Sequence, residues 1–228
     1  MTDLIKEAKA QGKKVLTEIE AKDIFRAAGI PVVKTYLAAS KEEAQMISSS
    51  LGFPVALKIC STDILHKTEA GGVFLNLACA EEVGRAYDQI LEMAMNRYPL
   101  SNIEGVTVQE MVVGGVEVVV GMTRDPQFGF MIMFGIGGIF VEILKDVSFR
   151  IVPLNEEDAW EMISEIKGRA LLEGVRGTMP VKKEALVEIL VKLSRFIEEN
   201  PEIIEMDINP LFANSRGAVA ADARIIME

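Results

Sequence analysis

The most apolar stretch of the chain, residues 128–144, reads FGFMIMFGIGGIFVEIL, and where it can go decides much of the architecture. A membrane-spanning helix needs about 20 consecutive apolar residues; this stretch is shorter, is broken by four glycines and carries Glu142. It is read as buried strand and loop. The residues before it have a similar texture: from Val112 on, VVGGVEVVVGMTRD and then PQFG set strands and glycine turns in close succession. A second lobe begins near there.

Upstream, helical and strand periods alternate. Residues 15–28, VLTEIEAKDIFRAA, have helical periodicity and stop at Gly29 with Pro31 behind it, a glycine end followed by a proline. Residues 32–37 alternate as a strand, and Ser40 is placed to cap the helix KEEAQMISSSL, whose first-turn acids suit the helix dipole. Gly52, Phe53 and Pro54 turn the chain into a short buried strand, VALKI, so the opening reads β-α-β. After the loop DILHKTEAGG, a strand is expected at 73–77, a helix at 80–97 and a strand at 106–111. The second lobe should hold a helix at 156–167, capped by Asn155 with Asp158 three residues on, and another at 182–199. Two last strands, 203–208 and 218–226, are joined by the turn NSRG, and no internal repeat or flexible linker interrupts the pattern.

Composition narrows the function classes. At 228 residues, half of them hydrophobic and a quarter charged, the chain has ample material for a core. Cys60 and Cys79 are too few for a disulfide scaffold and lack metal-ligand spacing, and the polar start MTDLIKEAKAQGKK has no signal-peptide features. The expected setting is reducing and cytoplasmic. A net charge of −10 argues against nucleic acid, whose phosphates are bound by concentrated Lys and Arg. It leaves open a small phosphate compound held locally.

Four features could carry chemistry, and each has a plainer explanation. Lys58 sits on the apolar strand VALKI, where a lysine either snorkels from the sheet surface or points into a cleft to meet an anion. His66 is the only histidine, which rules out a His-pair metal site. Its loop follows a strand, offers Lys67 and Thr68 as phosphate partners, and lets Gly71 and Gly72 approach closely. Neutral imidazole is a nucleophile near pH 7, so His66 is either a packing or surface residue or a phosphoryl acceptor. In EMDINPL, Asp207 and Asn209 are two apart and share one face of a strand, with Met206 and Ile208 on the other. If the strand ending at Arg224 pairs antiparallel with it, Asp222 joins them in a set of hard ligands suited to Mg²⁺; a solvated hairpin edge is the alternative. FGIGGIFVEIL lacks a P-loop or dinucleotide fingerprint, and tight turns between buried strands would explain its glycines.

Together these features gain an order. A lysine on an early strand, a glycine-bearing loop, QEMV at 109–112 by the lobe junction, and a C-terminal Asp-x-Asn with a further Asp follow the sequence of an ATP-grasp nucleotide site. On GFPVALKI, DILHKTEAGGV, RDPQFGFMIMFGIGGIFVEILKDVSFRIVPL and EMDINPL, the chain resembles, nearly end to end, β subunits of the acyl-CoA synthetase (NDP-forming) family. That family includes ADP-forming acetyl-CoA synthetases and is related to succinyl-CoA synthetase. The resemblance implies an α/β (α+β), two-lobed ATP-grasp fold with nucleotide bound between the lobes. Residues 1–26 would be a helical segment packing on the second lobe, 27–108 a first subdomain with Lys58 and the His66 loop, and 109–228 a second with the metal-binding strands.

The same resemblance implies roles. Lys58 would contact nucleotide phosphates, Glu110 and Val112 would form the hinge against adenine, and Glu117 would lie near the ribose. Asp207, Asn209 and Asp222 would hold Mg²⁺, His66 would be phosphorylated transiently, and Asp207 could also hydrogen-bond the imidazole. The cofactors would be ATP/ADP and Mg²⁺. The partner would be an α subunit that binds CoA and makes the acyl phosphate, in an α2β2 assembly. The reaction would take acyl-CoA, ADP and phosphate reversibly to acid, ATP and CoA. Succinate-specific relatives have a longer β chain with a further C-terminal domain, and a Glu where this chain has Asp207, so the CoA site is expected on the partner. The rival expectations are an ATP-grasp ligase using a soluble acyl phosphate and a nucleotide-binding regulatory subunit, neither with a phosphohistidine.

Overall fold

The structure, a computed structural model, describes residues 2–64, 66–138, 140–175 and 177–228; Leu65 of the histidine loop and Ile139 of the glycine-rich stretch lie outside them. The chain divides into two compact units, a smaller one at Val33–Val112 and a larger one combining Met1–Val32 with Val113–Glu228. Helices α1 (Thr2–Ala10) and α2 (Glu18–Ala27) open the chain. The helix expected from residue 15 starts at Glu18. Thr17 caps it through a reciprocal box with Glu20, while Val15 bridges to Ile226 and Leu16 donates to the carbonyl of Ile225. The apolar periodicity is continuous there, but the backbone of those two residues is already committed to a strand neighbour.

The smaller unit contains β1 (Thr35–Ala38), α3 (Lys41–Leu51), β2 (Val55–Cys60), β3 (Val73–Leu77), α4 (Ala80–Arg97) and β4 (Gly105–Glu110). Its sheet has the order β1-β4-β2-β3, antiparallel at every pairing. Val55, Leu57, Ile59, Val106 and Val108 supply one face of a core shared with Ala44, Val83, Ala86 and Ile90 from α3 and α4. Ser40 caps α3 by accepting from the amide of Glu43. The first strand begins at Thr35 rather than at 32, because Val32 is drawn into a bridge with Ala220.

The larger unit continues with β5 (Val116–Asp125), β6 (Gly129–Ile136), a π-helical turn (Phe140–Leu144), β7 (Val147–Ile151), α5 (Glu156–Glu165), a 3-10 turn (Lys167–Leu171), α6 (Lys183–Glu199), β8 (Ile203–Asn214), β9 (Gly217–Ala220) and β10 (Arg224–Met227). The apolar stretch is thus a strand running into a turn. The sheet order is β10-β8-β5-β6-β7 with β9 on the far half of β8, all antiparallel. One face buries Val118, Val120, Met122, Ile132 and Phe134 with Ile24, Phe25, Met162, Leu190 and Phe196 of the helices. Asn155 and Asp158 form the expected capping box, but α5 stops at Glu165. The amides of Lys167 and Gly168 instead donate to the buried carboxylate of Asp146, at 2.7 and 2.6 Å.

The two final strands are really three. β8 runs twelve residues, its first half paired with β10 and its second with β9; the chain leaves the ladder at residues 221–223. Asn209 and Pro210 stand opposite Val119 alone, since Ile208 pairs with Val120 and Leu211 with Val118. That bulge lets a proline, which has no amide to donate, sit inside a strand. Among the described residues no helix is long and apolar enough to cross a membrane.

Candidate functional site

In the smaller unit, Leu57 and Ile59 alternate into the helix-covered core, so Lys58 points to the opposite face. It is only 5% exposed and pairs with Thr107 across the sheet, with Gln109 two residues along; all three are buried polar residues on one face. The loop that follows closes directly onto this strand. The amide of Ile59 donates to the carbonyl of Gly72 and the amide of Gly72 to that of Lys67, both at 2.8 Å. A Cβ at Gly72 would lie 2.5 Å from Cγ2 of Ile59, so only glycine closes the loop at this spacing.

The loop is tied at both ends. Ser61 Oγ donates to the carbonyl of Asn102, whose amide donates to Asp63 Oδ2, each at 2.7 Å. At the other end Arg97 donates to the carbonyl of Glu69 at 2.8 Å. Ile64 and Ala70 are buried in the unit's core. Between these anchors His66 starts a single turn, its carbonyl accepting from the amide of Ala70, and its side chain is exposed. Glu110 ends β4 with its carboxylate accepting from the amide of Lys34 at 3.1 Å, and Val112 is half-buried.

In the larger unit, Glu117 is exposed at the start of β5, where its carbonyl accepts from the amide of Gly137. A Cβ on Gly137 would sit 3.2 Å from that carbonyl oxygen, and one on Gly135 would sit 2.7 Å from the carbonyl oxygen of Asp146. Close passage of the chain against these backbone groups therefore accounts for those two glycines of FGIGG.

The helix-free face of this sheet is organised in rows. One row crosses five strands as Arg224, Asp207, Gly121, Met133 and Phe149; the next runs Ile226, Glu205, Thr123, Met131 and Ile151. Most of these residues line an open cleft of about 250 Å³. Burial pushes the Asp207 carboxyl up to about 6, with Arg224 opposing and the neighbouring Asp222 and Glu205 carboxylates adding to the rise. Arg224 is ion-paired with Glu205. Asp222 lies at the break between β9 and β10, one of its oxygens accepting from the amide of Ala223 at 2.8 Å, and Asn209 is exposed at the bulge.

The antiparallel pairing therefore brings Asp207 and Asp222 into electrostatic contact. Among the described residues no group of three or more His, Cys, Asp or Glu side chains forms a metal cage. Two carboxylates and an amide still suit Mg²⁺ when phosphate oxygens and water complete its shell. A carboxylate whose proton affinity is raised by burial, and further by neighbouring carboxylates, is also one whose ionised form a bound cation would stabilise. Lys58 and His66 are in the smaller unit with Glu110 and Val112, whereas Glu117, Asp207, Asn209 and Asp222 are in the larger. Arg224, Glu205 and Gly121 were missed in the sequence, although Glu205 stands two residues from Asp207 on β8 and so shares its strand face, and Arg224 stands opposite Asp207 on β10.

The sequence pattern of the ATP-grasp domain family matches residues 7–227. The β subunit of ADP-forming acetate–CoA ligase I from Pyrococcus furiosus is 49% identical over 225 residues, 99% of this chain and 97% of that subunit. ADP-forming acetate–CoA ligase I of Archaeoglobus fulgidus is 43% identical over 208 residues, 91% of this chain but 30% of that polypeptide. The solved dinucleotide-forming acetyl-coenzyme A synthetase 1 of Ca. Korarchaeum cryptofilum, in complex with coenzyme A and Ca-AMPCP, superposes with a TM-score of 0.96 at 49% identity and 99% coverage of both chains. Another structure of that enzyme holds Mg-AMPPCP, with its phosphohistidine segment pointing towards the nucleotide site, at a TM-score of 0.85, 46% identity and 99% coverage of both chains.

Proposed function

We propose, from the premise that this chain belongs to the ATP-grasp family and within it to the ADP-forming acyl-CoA synthetases, that it is the nucleotide-binding β subunit of an ADP-forming acetate–CoA ligase. In this reading it relays a phosphoryl group through His66 to ADP. Acyl-CoA, ADP and phosphate become acid, ATP and CoA, and the reaction runs in either direction. The CoA site and the formation of acyl phosphate belong to an α subunit, in an α2β2 assembly. Two free cysteines accord with a reducing cytoplasm.

Each residue then has a task. An imidazole nitrogen of His66 attacks the phosphorus delivered by the partner, and the bond to the donor atom breaks. An oxygen of the ADP β-phosphate next attacks the same phosphorus, the P–N bond breaks, and the imidazole is regenerated. Lys58 meets phosphate charge, Glu110 and Val112 border the adenine, and Glu117 lies by the ribose. Asp207, Asn209 and Asp222 would hold Mg²⁺, which when bound supplies charge neutralisation for phosphoryl transfer. Asp207 can also accept a hydrogen bond from the imidazole and favour the nucleophilic tautomer.

The observation that carries this reading is the loop, in which one exposed imidazole stands on a turn fixed at both ends and closed onto the strand of Lys58. Incubation with Mg²⁺ and γ-labelled ATP, alone and with the partner, followed by peptide mapping, tests it. The expected result is an acid-labile, base-stable label on His66 that ADP discharges and His66→Asn loses. Nucleotide binding without any label would overturn the relay and leave a ligase using soluble acyl phosphate or a regulatory subunit.

A further inference from the structure

The open face of the larger sheet changes character from one side to the other. On β8 and β10 it is charged, with Asp207, Glu205 and Arg224; on β6 and β7 it presents Met131, Met133, Phe149 and Ile151. β7 ends the strand order, so its outer edge has no strand neighbour among the described residues. Exposed sheet edges are normally guarded by charge, proline or a covering element, because an unpaired apolar edge invites pairing with another chain. Arg150, the one charged side chain of β7, donates to the Phe149 backbone carbonyl at 2.9 Å and is held by Glu165 and Glu161 of α5 at 2.9 and 3.1 Å, so it caps one carbonyl of the strand and leaves the apolar side chains beside it uncovered. Meanwhile Ile143 and Leu144 of the π-turn leading into β7 are 72% and 63% exposed, and Phe149 and Ile151 are 49% and 50% exposed.

We infer that the π-turn and the β7 edge form the docking surface for the CoA-binding partner subunit. Two facts argue for that occupant. The chain aligns with nearly all of a separate β subunit in Pyrococcus furiosus and with 30% of a single polypeptide in Archaeoglobus fulgidus. A module used both as a separate subunit and as part of one chain needs a standing contact surface for the rest of its enzyme. The apolar edge is also continuous with the row that reaches Asp207 through Met133 and Gly121, so a partner seated there is brought beside the proposed transfer site. The inference rests on the proposed β-subunit function.

The test is titration of the chain, labelled fluorescently, with the recombinant CoA-binding partner, alongside ADP binding by the chain alone. The edge variant Leu144→Glu/Ile151→Glu should bind the partner at least tenfold more weakly with ADP affinity unchanged. Met46→Glu, an equally apolar-to-charged change on exposed α3, should bind as the unsubstituted chain does. Hydrogen exchange on the unsubstituted complex, which needs no variant, should show new protection at residues 143–151. Partner affinity within twofold in the edge variant, or protection confined elsewhere, overturns this surface alone. Failure of the unsubstituted chain to bind the partner overturns the β-subunit reading with it. Loss of self-association in the edge variant, with partner binding intact, assigns the edge to a second copy of this chain and overturns the inference.

Discussion

The two sheets present opposite charge on their helix-free faces. The smaller unit buries a cation, Lys58, beside two neutral polar side chains, Thr107 and Gln109. The larger gathers Asp207, Asp222 and Glu205 against a single Arg224. A lysine can meet phosphate oxygens directly, whereas carboxylates can do so only through a cation. On the proposed function the difference teaches that neither unit alone would carry the elements of phosphoryl transfer, and that each should fail in its own way when its charge is removed.

The largest expected effect breaks the smaller unit's side of that comparison. Lys58→Met keeps the length of an unbranched side chain and deletes the charge, and loss of a positioned phosphate partner should lower the rate of His66 phosphorylation by about 10²–10³-fold. Rapid-quench measurement of the labelled protein at saturating nucleotide checks this, with circular dichroism to show the fold retained. A rate within threefold of the unsubstituted chain would make Lys58 a structural residue that happens to be buried.

On the larger unit the corresponding change should stabilise the fold. Asp207 titrates near 6 when folded against an ordinary value of 3.8, so the folded chain holds this proton more tightly than the unfolded one. Its contribution is fully present below about pH 4 and is lost as pH rises through about 6. Keeping the group ionised at pH 8 therefore costs on the order of 3 kcal/mol. Asp207→Asn should recover much of that in metal-free urea melts at pH 8, and the gain should shrink towards zero near pH 4. The same variant should lose Mg²⁺-dependent turnover, the opposite sign for function. A stability gain independent of pH would separate the effect from ionisation.

What could be read from the sequence follows the same division. Lys58 and His66 are conspicuous by type, a lysine in an apolar strand and a lone histidine in a glycine-bearing loop, and their elements are bounded by strong turn and cap signals. Asp207, Asn209 and Asp222 were reachable by strand parity, but the parity holds only as far as the bulge. Beyond Asn209 and Pro210 the core-facing positions move from 206 and 208 to 211 and 213. Alternation could not anticipate that shift, because it arises from the pairing of β8 with β5. Arg224 was legible but passed over: the register set at the NSRG turn, with Asn214 opposite Gly217, continues unchanged across the break at residues 221–223 and puts Arg224 opposite Asp207. Asp146 had no sequence signal, since its partners are the amides of Lys167 and Gly168 and become neighbours only through tertiary folding.

Two glycines sharpen the comparison at the smallest scale. A Cβ at Gly72 would lie 2.5 Å from Ile59 Cγ2 and 3.2 Å from the carbonyl oxygen of Lys67, so the branched side chain or the loop closure must yield. Gly72→Ala should cost about 1–3 kcal/mol in urea melts and slow His66 phosphorylation as well, because the displaced atoms close the histidine loop. A Cβ at Gly121, between Asp207 and Met133, would have as its nearest neighbours the flexible Met133 Cε at 3.4 Å, the Met206 carbonyl at 3.8 Å and Asp207 Oδ1 at 3.9 Å. Gly121→Ala should therefore change stability by less than about 0.5 kcal/mol. Equal costs at the two positions would mean that the loop closure has slack which the Ile59 contact does not reveal. A large cost at Gly121 alone would mean that the row through Asp207 is packed more tightly than its open cleft implies.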